Sequence, residues 1–320
     1  MRENYDTLEK TERIYSENAA KLMRRDEDAN KSAYGKLLII AGSRGMAGAA
    51  YMSGLAALKS GIGMVRYLGP ECNRIILQTL LPEAMYESYD AYSENGCRTN
   101  GDEAERQFAE KIEKCLSWAD YLILGPGLSK DENAVRLVRT LFSGTFTAKL
   151  QRMKLIVVDA DALNIIADEQ LDVGRLGRYA ETAEIAGENI CSNVVITPHI
   201  GEMSRLSGMS IPEIKADPVA CAESYAAGHD VNVVLKDHIS VVRCGEHTYL
   251  NTGGSPALAK AGSGDVLTGV IAGVTAVLKG DIPAAVPTAV YLHGRAGKRA
   301  AEAKGVHSVL AHEITDYIYD

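Results

Sequence analysis

Six short apolar runs constrain this chain more than any other feature: KLLIIAG (36–42), GMVRYLG (63–69), YLILGPG (121–127), KLIVVDAD (154–161), NVVITPH (193–199) and VNVVLKD (231–237). A strand with one face in water alternates apolar and polar side chains, whereas near-continuous apolar runs belong to strands buried on both faces. Helical patterns separate the runs, so the expected class is α/β, with a mostly parallel central sheet covered by helices on both faces. ISVVRCGEHTYL (239–250) reads as two strands around a Gly-Glu turn, a hairpin expected at the sheet edge. Three helical patterns, about 264–279, 283–301 and 308–318, close the chain. Segments 86–107 and 168–192 are polar and weakly periodic, and are expected to be surface excursions.

Residues 1–33 are polar and charged and read as an N-terminal arm, leaving 34–320 as a single domain. The 34 basic residues against 42 acidic ones give a net charge of −8, which argues against a nucleic-acid partner. Nothing approaches the ~18 apolar residues of a membrane span, and the charged first fifteen residues offer no signal-peptide core. Six scattered cysteines without CxxC pairing fit reduced thiols, so a cytoplasmic location is expected.

Chemistry collects at the strand ends. Gly42-Ser43, Gly125-Pro126-Gly127, Asp159-Ala160-Asp161 and Thr197-Pro198-His199 each follow a run, and open parallel sheets bind ligands outside the carboxyl ends of their strands. One such turn is ordinary; four suggest a shared cleft. The loop GSRGMAGAAYMSGLAAL lacks the GxGxxG order, which disfavours a dinucleotide fingerprint, and its small residues serve equally for tight helix packing. The sharpest motif is SPALAKAGSGDVLTGVIAG. There Gly262, Ser263 and Gly264 precede a helix whose free N–H groups can hold phosphate, and Asp265 in the first turn is placed as a general base. Helix capping alone would not require two glycines around a serine. The helix N-terminus is expected to lower the pKa of Asp265 and keep it ionised at neutral pH, while bound phosphates nearby favour its protonation. Lys236, ending an apolar strand, can meet phosphate, although a snorkelling lysine is the plainer reading. His199 and Glu202 stand at another helix start and carry little weight alone.

Taken together, YGKLLIIAGS, LILGPGL, VVDADALN, VITPHIGEMSRLSG, VVLKDHISVV and NTGGSPALAKAGSGDVLTGVIAG resemble, in order and spacing, the ADP/ATP-dependent NAD(P)H-hydrate dehydratases, whose fold is ribokinase-like. That family phosphorylates the hydroxyl of hydrated NADH or NADPH and eliminates phosphate to restore the dihydronicotinamide. The resemblance implies ADP, or ATP, as co-substrate with Mg2+, and no metal-ligating residues are singled out. It implies Asp265 as catalytic base and substrate contact, with Ala49, Gly127 and His199 also on the hydrated dinucleotide. It implies Lys236, Asp237, His238, Ile239, Ser240, Gly262, Ser263 and Gly264 on the nucleotide. Asp237 stands where the family usually has Gly, and AGSGD replaces its GGTGD. The resemblance further implies a homo-oligomer, plausibly a tetramer, and a separate epimerase, because the N-terminal arm is too short for an epimerase domain. The alternatives are a ribokinase-like kinase of a vitamin precursor using ATP, and a nucleotide-binding regulator without turnover.

Overall fold

A computed structural model describes residues 9–25, 28–90, 101–177 and 191–320. Its centre is a sheet of ten strands: β1 (Glu9–Lys10), β2 (Lys36–Ile40), β3 (Met64–Gly69), β4 (Met85–Ser88), β5 (Tyr121–Leu124), β6 (Leu155–Val158), β7 (Val194–Ile196), β8 (Asn232–Leu235), β9 (Ser240–Cys244) and β10 (His247–Asn251). Their order across the sheet is β1-β10-β9-β8-β7-β6-β5-β2-β3-β4, with antiparallel pairing at β8/β9 and β9/β10 and parallel pairing elsewhere. The continuous runs are explained by two cores. Leu37 and Ile39 of β2 face one of them, while Leu38 and Ile40 face the other, and all four are fully buried. Among the described residues, no helix is long and apolar enough to cross a membrane.

Helices Ala47–Ser60 and Ser263–Val277 pack together on one face, and small residues let them approach closely. A Cβ at Gly269 would lie 2.2 Å from the Ser53 carbonyl oxygen, and one at Gly273 would lie 2.4 Å from Ser60 Cβ. Helix packing therefore accounts for much of the small-residue pattern after the first loop.

Five sequence expectations change. The polar arm is docked over Glu9–Leu22: β1 pairs with β10, and the Thr11–Leu22 helix follows it, with Thr11 Oγ1 donating to Asn251 Oδ1 at 3.1 Å. The Ser240–Asn251 hairpin is consequently one strand in from the edge. Segment 86–107 is not an excursion throughout, since β4 occupies its start and the Asp102–Trp118 helix its end; residues 91–100 lie outside the described residues. Among the described residues β4 is an edge strand paired only with β3, so it alternates exposed and buried positions and gives no continuous apolar run. In segment 168–192, Val173–Leu176 forms a buried 3-10 turn, and residues 178–190 lie outside the described residues. The last helical pattern is a 3-10 helix, Ala311–Tyr317.

Candidate active site

Four strand ends converge as the sequence suggests. The β5 turn sits so close to the β6 end that a Cβ at Gly125 would lie 1.9 Å from the Asp159 carbonyl oxygen, which requires glycine. Asp159 is 1% exposed, and its Oδ1 accepts a hydrogen bond from Lys236 Nζ at 2.7 Å. Ala160, between the two aspartates, takes φ +51, a strained conformation for an L-residue of the kind that clusters at functional sites. The Lys236 backbone N–H donates to Pro198 at 2.8 Å, tying the β8 end to the TPH turn.

Gly264 lies against this ion pair: a Cβ there would be 3.3 Å from Lys236 Nζ and 3.6 Å from Asp159 Oδ2. A side chain would cover the lysine, and glycine leaves it open to the helix N-terminus. Asp265 follows in the first turn. Burial pushes its carboxyl up to about 7, Asp159 and Asp161 add to the rise, and Lys236 opposes it. The expectation of an Asp265 held ionised by the helix dipole is thus corrected, because desolvation and two neighbouring carboxylates outweigh the dipole. The hydroxyl of Ser263 is buried and has no hydrogen-bond partner among the described residues.

A cavity of about 700 Å³ opens beside the pair, and its walls include Lys236, Asp237, His238, Ser240, Ser263 and Gly264. Ile239 and Gly262 do not line it. Gly262 instead meets the first-loop helix, where an added Cβ would lie 2.4 Å from Met52 Sδ. Asp237 is exposed, and its Oδ1 accepts the backbone N–H of His238 at 2.8 Å, so the carboxylate is engaged within its own turn.

Of the residues assigned to the hydrated dinucleotide, Ala49 and Gly127 come together. Gly127 has φ +59, and a Cβ on it would lie 2.7 Å from Ala49 Cβ. His199 lies on the cavity wall and caps the Ile200–Ser207 helix, its Nδ1 accepting from the Gly201 N–H at 2.9 Å.

Three residues that the sequence did not single out as site residues belong here. Asp159 holds Lys236. Glu202 accepts the His199 backbone N–H at 2.8 Å, and burial raises its carboxyl above the ordinary range, Lys236 opposing and Asp159 reinforcing. His293 reaches the cavity from the Ile282–Lys304 helix. DADALN and TPHIGE flagged the first two by position, whereas His293 sits inside an ordinary helical pattern. Its only signal is the buried series Val286, Ala289, Val290, His293 and Ala296, which puts it on the inward face.

Chemically, one open lysine, glycine-flanked helix N–H groups and a carboxyl of raised proton affinity suit phosphoryl transfer to a hydroxyl.

Comparison with known proteins bears on this geometry. The profile of the NAD(P)H-hydrate dehydratase family matches residues 37–320. The ADP-dependent (S)-NAD(P)H-hydrate dehydratase of Bacillus subtilis is 31% identical over 301 residues, covering 93% of this chain and 93% of that protein. The bifunctional NAD(P)H-hydrate repair enzyme of Moorella thermoacetica is 34% identical over 302 residues, but this chain spans only 51% of its length. Among solved structures, the ADP/ATP-dependent NAD(P)H-hydrate dehydratase from Bacillus subtilis, co-crystallised with ATP/Mg2+, has a TM-score of 0.71 at 28% identity and covers 98% of this chain and 96% of its own. A ribokinase-like superfamily protein from Enterococcus faecalis gives 0.74 at 27% identity, covering 93% of this chain and 90% of its own. The sheet order, the strand-end site and these likenesses agree: the fold is ribokinase-like, and the chain belongs to the NAD(P)H-hydrate dehydratase family.

Proposed function

We propose that this protein returns hydrated NADH and NADPH to NADH and NADPH at the expense of a nucleotide, with ADP the preferred co-substrate and AMP and phosphate the products. The carrying observation is Gly264 lying against the Lys236–Asp159 pair, with Asp265 next in the chain. In this reading the cavity holds the nucleotide, and its terminal phosphate meets Lys236 and the N–H groups at Ser263 and Gly264. The hydrated ring lies toward Ala49 and Gly127, with His199 also in contact. Asp265 takes the proton of the substrate hydroxyl, whose oxygen receives the phosphoryl group, and phosphate then departs as the ring double bond re-forms.

A raised pKa suits that step, because a base near the working pH accepts a proton readily while remaining partly ionised. Mg2+ enters with the nucleotide, since this ion is commonly held by phosphates and one or two carboxylates. Among the described residues no cluster of three His, Cys, Asp or Glu side chains is arranged to hold an ion, so the nucleotide's own phosphates would be its main ligands. We further take 34–320 as one domain whose sheet the Glu9–Lys10 strand extends, working in the cytoplasm as a homo-oligomer.

The test is the dihydronicotinamide absorbance gained when purified protein meets hydrated NADH with ADP or ATP. Nucleotide-dependent formation of NADH is expected. No rate above background, together with phosphorylation of a vitamin-precursor alcohol, would replace this reading with the kinase one.

A further inference from the structure

The Ile282–Lys304 helix buries a largely apolar face and one imidazole. His293 is 7% exposed, yet its Nε2 has no hydrogen-bond partner among the described residues. Buried polar atoms are nearly always satisfied, so one left over at the wall of a cavity points to a partner that arrives with a ligand. The same cavity is lined by Ser263, Gly264 and Lys236 and by the apolar side chains of Pro256, Leu258 and Val290, the last of them one helical turn before His293.

The electrostatics narrow the partner. Burial drives the imidazole pKa down to about 4 and Lys236 adds to that fall, while a hydrogen bond with the Ser263 backbone opposes it. At neutral pH the ring is uncharged. A neutral imidazole offers a hydrogen bond but no charge, so it suits an uncharged polar edge better than a phosphate. The apolar part of the lining suits a flat base, as small-molecule sites pair apolar surface with a few placed polar groups.

We propose that His293 Nε2 hydrogen-bonds the nucleoside portion of the bound nucleotide and selects a nucleoside diphosphate over bare pyrophosphate. This rests on the cavity being the nucleotide site. Calorimetric titration of the full chain with ADP and with pyrophosphate tests both ideas. His293→Leu is expected to weaken ADP roughly 10-fold to 100-fold and raise its KM with kcat nearly kept, to leave pyrophosphate unchanged, and to be partly rescued in His293→Asn. Lys236→Ala is expected to weaken both ligands. Unchanged ADP affinity in His293→Leu, or equal loss of ADP and pyrophosphate, overturns the His293 role alone. Unchanged ADP affinity in Lys236→Ala overturns the nucleotide-site reading. A packing effect is separated by 15N-histidine spectra of the unmutated protein: the His293 Nε2 resonance should move with ADP and stay still with pyrophosphate, and no movement with ADP overturns the proposal.

Discussion

Lys236 Nζ and Asp159 Oδ1 lie 2.7 Å apart although 77 positions separate them in sequence, and the pair joins the ends of β8 and β6 across β7. Removing Lys236 leaves the buried Asp159 without the cation it meets, a change that costs on the order of 3 kcal/mol in a buried pair.

Lys236→Met should therefore lower the melting temperature and also weaken ADP by about one to two decades, as expected for loss of a charge-assisted hydrogen bond. Adding Asp159→Asn should recover much of the melting temperature without recovering ADP affinity. If affinity returned with stability, Lys236 would act through folding and not on phosphate.

Asp265→Asn keeps the size of the side chain but cannot accept the proton. Turnover should fall ~10²–10⁴-fold while ADP binding is nearly retained. Near-normal kcat would remove Asp265 from the role of base.

The same residue predicts a pH profile. With its carboxyl pushed up to about 7, activity should rise with pH through that region as the base ionises. Stability should run the opposite way, because a carboxyl whose folded pKa is raised favours the folded state at low pH and loses that contribution as pH rises through about 7. Melting temperatures of wild type and Asp265→Asn should agree near pH 4, and the variant should be the more stable at pH 8. A gap independent of pH would contradict the assignment.

Gly127→Ala forces a side chain into φ +59 and against Ala49. The left-handed backbone should cost an L-residue roughly 1–2 kcal/mol. KM for hydrated NADH should rise more than KM for ADP; an equal rise in both would place Gly127 outside the substrate end.

Much of this was legible in the sequence where burial leaves a mark. β2, β5 and β6 are buried on both faces, so their apolar runs reported them directly, and the turns that follow reported the cleft. β4 alternates because, among the described residues, one neighbour alone pairs with it, and the first helix is polar because it buries one side only, mainly against the Ile282–Lys304 helix; neither produces a continuous run. The proton affinity of Asp265 does not follow from its local position, because burial in the assembled site raises it first and Asp159 and Asp161, distant in sequence at the carboxyl end of β6, add to the rise. His293 was hidden because a histidine on an inward helix face resembles any satisfied core residue until the cavity beside it is known.

Gly269 against Ser53 and Gly273 against Ser60 have one more effect. The two helices they join begin at the same end of the molecule, one near Ala49 and the other at Gly264 and Asp265. Proteins packed this tightly do not slide by fractions of an ångström without losing contacts on both sides. The helix start proposed to meet the hydrated ring and the turn proposed to hold the terminal phosphate are therefore mounted on a single chassis. Their separation is set once, when the chain folds, and does not have to be found again at each turnover.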